Sequence, residues 1–204
     1  LQSETVATDA GLFSRLWVDG EFLTREIGHP ALPTVRRLFA MPAGATPPVT
    51  VLDFELEETS LSQLGLNHPV VPAQPSYSRG ADPADIYFRY DAAAYGADAF
   101  SDDALVSAAK SGTMRGVGVG ALVVSPFRYN PVTGQLRIYR NIRVRITFSP
   151  SGPAVSDLSA WDYSPFFESD IGAMLNAPQA APSVDAWPAP SDLTHYPATY
   201  LIMA

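Results

Sequence analysis

The side chains able to do chemistry are sparse and poorly grouped. Three histidines, His29, His68 and His195, are scattered over 204 residues, and none has an acidic or histidine neighbour at a spacing that builds a metal site. The absence of cysteine removes thiolate nucleophiles, thiolate metal sites and disulfides within the chain. Serines are plentiful, but no G-x-S-x-G elbow exposes one as a nucleophile. The stretch GVGVGA, Gly116 to Ala121, carries the letters of a dinucleotide fingerprint but runs straight on into LVVSPF. Without a helix to turn its N–H groups toward phosphate, it reads as a strand whose bare glycine face lets another layer approach. The Asp102-Asp103 pair is placed as the first turn of a helix would place it, not as an acid–base couple. Arg137, Arg140, Arg143 and Arg145 form a basic cluster, best read as a solvated strand face pairing with carboxylates. Residue types and spacing therefore give no catalytic residue, no cofactor and no metal: the chain by itself is not an enzyme.

Composition points the same way. Hydrophobic residues are 47% and charged residues 17% of the chain, which is a globular balance, and the net charge of −8 excludes a nucleic-acid binder that must neutralise phosphates. No apolar run approaches the roughly 18–20 residues needed to span a bilayer. The N-terminus, LQSETVATDAG, lacks the basic and apolar regions of a signal peptide. Nineteen prolines and 14 glycines lie between apolar runs, which favours many short strands joined by turns.

The elements follow from period and punctuation. LFSRLWVDGEFLTREI holds an Asp19-Gly20 hairpin signal, and VTVLDFELEE alternates with a period close to two, as a half-buried strand does. MPAGATPP is a turn between two further strands. SDDALVSAAKSG is the best helix, capped by Ser101 and ended by Gly112, and ESDIGAMLN forms a short one. Val117 to Val124, LRIY and IRVRITF give the strongest strand signals, with YNPVTGQ as a turn and Ile142, Val144, Ile146 and Phe148 on one face. The expected fold is all-β: an antiparallel, jelly-roll-like β-sandwich with one or two short helices, over residues 1–150. Residues 151–195 read as a packing appendage and a Pro/Ala-rich linker. Residues 59–85, with Pro69, Pro72, Pro75 and Pro83, are long for a connection, and loops of that length are usually functional or disordered. QPSYSRGADPAD within them carries one basic residue, Arg79.

More specific than these patterns is YNPVTGQLRIYRNIRVRI, Tyr129 to Ile146. Together with GHPALP (Gly28 to Pro33), PVVPAQPSYSRG, YDAAAYGADAFSDD and MRGVGVGALVVSPFRYNP in the same order, it resembles the propeptide of gingipain-type cysteine peptidases. The resemblance covers residues 10–150 well and 151–195 loosely. PATYLIMA, within 196–204, is similar to the first strand of the peptidase domain that follows in that family. The resemblance implies a bacterial, secreted or cell-surface/periplasmic precursor. In it the propeptide would aid folding and keep the cognate cysteine peptidase catalytic domain latent by occupying its active-site cleft. The catalytic His and Cys, and the family's calcium sites, belong to that following domain.

By the same resemblance, SRGADP aligns with the loop that places an arginine in the S1 pocket of arginine-specific members. That implies an inhibitory loop of Ser78, Arg79, Gly80, Ala81, Asp82 and Pro83, with Arg79 as the inserted residue and Arg128→Ala as the comparison for Arg79→Ala. The chain departs from such members at one point: no lysine or arginine follows Arg145, so an enzyme specific for basic residues could not cut at the junction. The alternative is a surface or secretion-associated β-sandwich that binds protein or glycan through the glycine-faced strand and the arginine cluster.

Overall fold

A computed structural model describes residues 1–41, 47–80, 82, 86–114, 117–147, 170 and 172–176. Among these residues nine strands make three antiparallel sheets. β1 (Gln2–Thr8) and β2 (Gly11–Trp17) form a hairpin. β3 (Phe22–Leu23), β4 (Pro33–Met41), β6 (Val106–Met114) and β7 (Val117–Val124) form a four-stranded sheet in the order β3-β4-β7-β6. β5 (Val49–Ser60), β8 (Phe127–Asn130) and β9 (Gln135–Ile146) form the third, in the order β5-β9-β8. Among the described residues helix is confined to a 3-10 turn at Ser62–Leu64, the five residues of α1 (Ala92–Gly96) and helical positions at Asp170 and Gly172. Among the described residues no helix is long and apolar enough to cross a membrane.

The four- and three-stranded sheets face each other as a sandwich. At one end Phe39, Met41, Leu122, Val106, Ala108 and Val124 of the first sheet meet Val49, Val144 and Ile146 of the second. At the other end Leu16, Phe127, Tyr129, Leu136 and Ile138 pack with Leu61, Leu66 and Val70, which come from the connection after β5. The glycine face of β7 has a concrete occupant. A Cβ on Gly120 would lie 2.3 Å from Cζ of Phe39, its partner on β4, and one on Gly118 would lie 2.5 Å from the Met41 carbonyl oxygen. The fingerprint lettering is thus a packing device, with a strand where a nucleotide site needs a helix.

Three expectations from local sequence are corrected. SDDALVSAAKSG is not a helix: its second half is edge strand β6, in antiparallel register with β7 from Val106↔Val124 to Met114↔Val117. Helix propensity is worth only tenths of a kcal/mol per residue, and burying Val106 and Ala108 against the facing sheet outweighs it. The Asp19-Gly20 turn does not close a hairpin, because β2 pairs with β1 and β3 pairs with β4. The hairpin signal was correct for a turn but silent about which sheet each flank joins. β5 is a strand, but Leu52, Phe54 and Leu56 are about half exposed, and the register slips at Val51/Asp53 and Asp53/Glu55. Of the long connection at 59–85, residues 59–80 and 82 are described, and it carries the loop considered below.

The appendage docks at one described point. The Asn176 side chain accepts from the Ala40 N–H at 2.8 Å and donates to the Ala40 carbonyl at 2.9 Å, while the Leu175 N–H reaches the Leu38 carbonyl at 2.9 Å. This satisfies the edge of β4 that β3 leaves open. The boundary placed at 150, the linker, Phe148 and the strand placed at 196–204 lie outside the described residues.

Candidate functional site

The loop that carries Arg79 is built on a strap, residues 66–74, laid across the sandwich. The Ser14 N–H donates to the Pro69 carbonyl at 2.8 Å, the Val71 N–H to the Ser14 carbonyl at 2.8 Å, and the Ser14 hydroxyl to the His68 carbonyl at 2.7 Å. The Ala31 N–H then donates to Val71 and the Ala73 N–H to His29, at 2.9 and 2.8 Å. A proline-broken segment has no strand period, so these bonds are found one at a time and not as a ladder. Val70, fully buried, pins the strap to the core.

The returning stem, residues 88–95, docks beside it. Phe88 packs on Phe13 with ring centroids 5.3 Å apart, and Tyr90 stacks on Tyr95 at 4.5 Å. Asp91 caps α1, accepting from the Ala93 and Ala94 N–H groups at 2.8 and 3.0 Å. The Ala94 N–H first, then that of Ala93, and then nearby His29 hold the Asp91 carboxyl below its ordinary value. The Tyr95 hydroxyl donates to the Val70 carbonyl at 2.6 Å, tying return stem to strap. Burial raises the phenol pKa of both Tyr95 and Tyr129, so both stay neutral donors.

Both stems converge on Gly28. Its N–H donates to the Ala73 carbonyl at 2.9 Å, and its carbonyl accepts from the Asp91 N–H at 3.1 Å. Its φ is +86°, and a Cβ there would sit 3.1 Å from the Asp91 nitrogen, so the position requires glycine on both counts. His29 follows, with Nε2 at 3.4 Å from carboxylate oxygens of Glu26 and Asp91. Glu26 is local, three residues before His29, whereas Asp91 arrives from a distant element that no sequence spacing reveals. Among the described residues no cluster of three or more such side chains is arranged to hold a metal ion.

Above this neck Arg79 and Gly80 form a turn, and Ser78, Arg79, Gly80 and Asp82 are all exposed. Ala81 and Pro83 lie outside the described residues. Arg79 has no hydrogen bond or ion pair among the described residues. Five other arginines are committed to carboxylates: Arg15 to Glu4, Arg37 to Glu21, Arg137 to Glu58, Arg140 to Glu57 and Arg143 to Asp53. The last three pairs join β9 to β5, so three of the four arginines of the cluster pair with carboxylates as expected, and Arg145, opposite Thr50, does not. Arg128 is buried, donating to the carbonyls of Ser125, Phe127 and Asp103. It is a structural residue and cannot serve as the neutral comparison for Arg79. Exposed Arg145 takes that place.

Around the loop base stands an apolar collar. Tyr77, Ile86, Tyr87 and Tyr90 are exposed, and Leu12, Phe13, Pro69, Phe88 and Tyr90 line a shallow cavity of about 480 Å³. The arrangement presents an exposed, unpaired Arg79 guanidinium on an anchored loop that also carries exposed Tyr77, Ile86 and Tyr87.

Residues 1–158 match the family model Propeptide_C25. Lys-gingipain HG66 and Lys-gingipain 381, both of Porphyromonas gingivalis, are 36% identical over 200 residues, covering 98% of this chain. The chain spans 11% of the length of these relatives. A solved structure described as giving insight into the zymogenic latency of gingipain K from Porphyromonas gingivalis superposes with a TM-score of 0.67 at 39% identity. It covers 72% of this chain and 80% of its own. A complex of the pro- and mature domains of RgpB from the same organism shares the fold, with a TM-score of 0.65 at 23% identity, over 86% of this chain and 87% of that one.

Proposed function

Because this chain belongs to the Propeptide_C25 family, and is the non-catalytic propeptide region of a gingipain-type cysteine peptidase, we propose that it holds the catalytic domain of its own precursor latent. Its means is to seat the loop around Arg79 in the active-site cleft. Homology to the bacterial gingipain system implies an extracellular or surface location, and secretion or periplasmic residence of this precursor belongs to the same proposal. The observation that carries the reading is the state of Arg79: exposed, uncommitted and raised on a loop whose two stems are fastened to each other and to the core. A guanidinium presents parallel donors that fit a carboxylate at the base of a pocket, and arginine is among the residues that dominate interfaces when desolvated. Ser78, Gly80 and Asp82 flank it, with Ala81 and Pro83 completing the loop. Help with folding follows from the same contact, since a partner that binds only the native peptidase stabilises it by mass action.

The test is inhibition of the peptidase domain by the separately produced 204-residue chain. Arg79→Ala should raise the inhibition constant by about 30-fold, the equivalent of roughly 2 kcal/mol for a central arginine, while Arg145→Ala should leave it unchanged. Identical constants for wild type and Arg79→Ala would remove Arg79 from the pocket. Since the relatives are named Lys-gingipains, Arg79→Lys is the informative companion: tighter inhibition would report a pocket shaped for lysine.

A further inference from the structure

The neck of the loop is closed by one side chain. Gln74 and Arg89 are 15 positions apart, and the Gln74 amide engages both backbone groups of Arg89. Nε2 donates to the Arg89 carbonyl at 2.8 Å, and Oε1 accepts from the Arg89 N–H at 2.8 Å. A paired strand would supply the same two bonds from its backbone. Here a planar amide supplies them, so its fixed span sets the width of the neck. Nε2 also lies 3.1 Å from the Pro72 carbonyl and 3.3 Å from that of Ala73, which orients the amide on the strap. On the Arg89 side the guanidinium sits 3.6 Å above the ring of Tyr87 and stiffens the adjoining return. Gln74 is exposed and belongs to neither apolar cluster. The stems below it are fastened independently, by the Ala73–His29 and Asp91–Gly28 bonds and by the Phe88–Phe13 contact. Its loss would free the loop without loosening the sandwich.

We propose that Gln74 is a positioning residue for Arg79. Its amide clamp closes the loop before the peptidase is met, so that less chain entropy is lost when Arg79 is seated. This rests on the reading of Arg79 as the inserted side chain. The cost of ordering a loop falls on the binding step unless it is met in the free protein, and a fixed neck restricts every residue between its two ends. Gln74→Ala removes the clamp. Gln74→Glu keeps an acceptor for the Arg89 N–H but turns a carboxylate toward the carbonyls of Pro72, Ala73 and Arg89, so it should fail as well.

A double-mutant cycle on the 204-residue chain tests this, with inhibition of the cognate peptidase, thermal unfolding and tryptic cleavage after Arg79 as readouts. Gln74→Ala should raise the inhibition constant about tenfold, as expected for two lost hydrogen bonds. Its unfolding midpoint should stay within about 2 °C of wild type. In an Arg79→Ala background the same change should cost about twofold or less, because a residue that acts through another has no effect once the other is gone. Trypsin should cut after Arg79 faster in Gln74→Ala than in wild type. Unchanged inhibition, or an equal loss in both backgrounds, overturns the positioning role. Should Arg79→Ala itself leave inhibition unchanged, the seating of Arg79 is what fails. Cleavage then still decides the clamp: faster cutting upholds it and an unchanged rate overturns it.

Discussion

Arg128→Ala should destabilise the sandwich more than any exchange of a surface arginine. The guanidinium is buried, with 6% of the residue exposed, and is satisfied by carbonyls: Nη1 donates to Ser125 and Phe127, both at 2.9 Å, and Nη2 donates to Asp103. These acceptors lie in the turn between β7 and β8 (Ser125), at the start of β8 (Phe127) and on the segment entering β6 (Asp103), so the side chain fastens three pieces of chain. Each lost bond is worth about 1 kcal/mol net, and removal of the packed stem adds roughly another, giving about 3–4 kcal/mol in all. For a domain of this size that is a fall of roughly 6–16 °C in the unfolding midpoint. Thermal unfolding followed by circular dichroism, with urea titrations to check an unchanged m-value, measures it. Arg128→Met, which keeps the stem, should lie between wild type and alanine, and Arg128→Lys should recover part of the loss. A midpoint for Arg128→Ala within about 2 °C of wild type would refute the reasoning, because it would mean that water replaces the guanidinium at no cost.

Two further outcomes follow from the packing and the charges. Gly120→Ala should cost about 1–3 kcal/mol in urea unfolding, since the new methyl group meets the buried Phe39 ring, whereas Gly112→Ala, which faces open space, should be close to neutral. The Glu21 carboxyl is held below its ordinary value of 4.5, first by its hydrogen bond from Arg37. A lowered folded pKa means that its contribution is fully present above about pH 4.5 and is lost as the pH falls through the folded value, so Glu21→Gln should flatten the acid side of the stability profile; an acid limb identical to wild type would contradict this.

The clearest sequence signals belonged to segments whose local pattern and tertiary role coincide. β9 alternates because it lies in the middle of its sheet, with Leu136, Ile138, Val144 and Ile146 on the core and Arg137 and Arg143 toward the acids of β5. Its preceding turn announces itself because Gly134 adopts a φ of +69°. β6 misled for the opposite reason: an alanine-rich edge strand carries no β-like composition, and only its pairing with β7 makes it extended. β1 went unnoticed because its residues are mostly exposed and need no apolar period.

For the loop, the proline-edged composition and the lone Arg79 were visible in the chain, and the likeness of separated motifs was enough to indicate the family. Everything that makes the loop a defined object depends on distance in space. Gly28 meets Asp91, Tyr95 reaches Val70, and Gln74 clasps Arg89, each pair joined across a sequence separation that no local period encodes. Sequence alone determined that the chain is an acidic, cysteine-free β-protein without catalytic groups, because composition and alternation are local properties of the residues. Only the tertiary structure decided which arginines are spent on carboxylates or carbonyls and that Arg79 is not among them. That choice depends on which charges and polar groups the folded sheets bring within about 3 Å of one another.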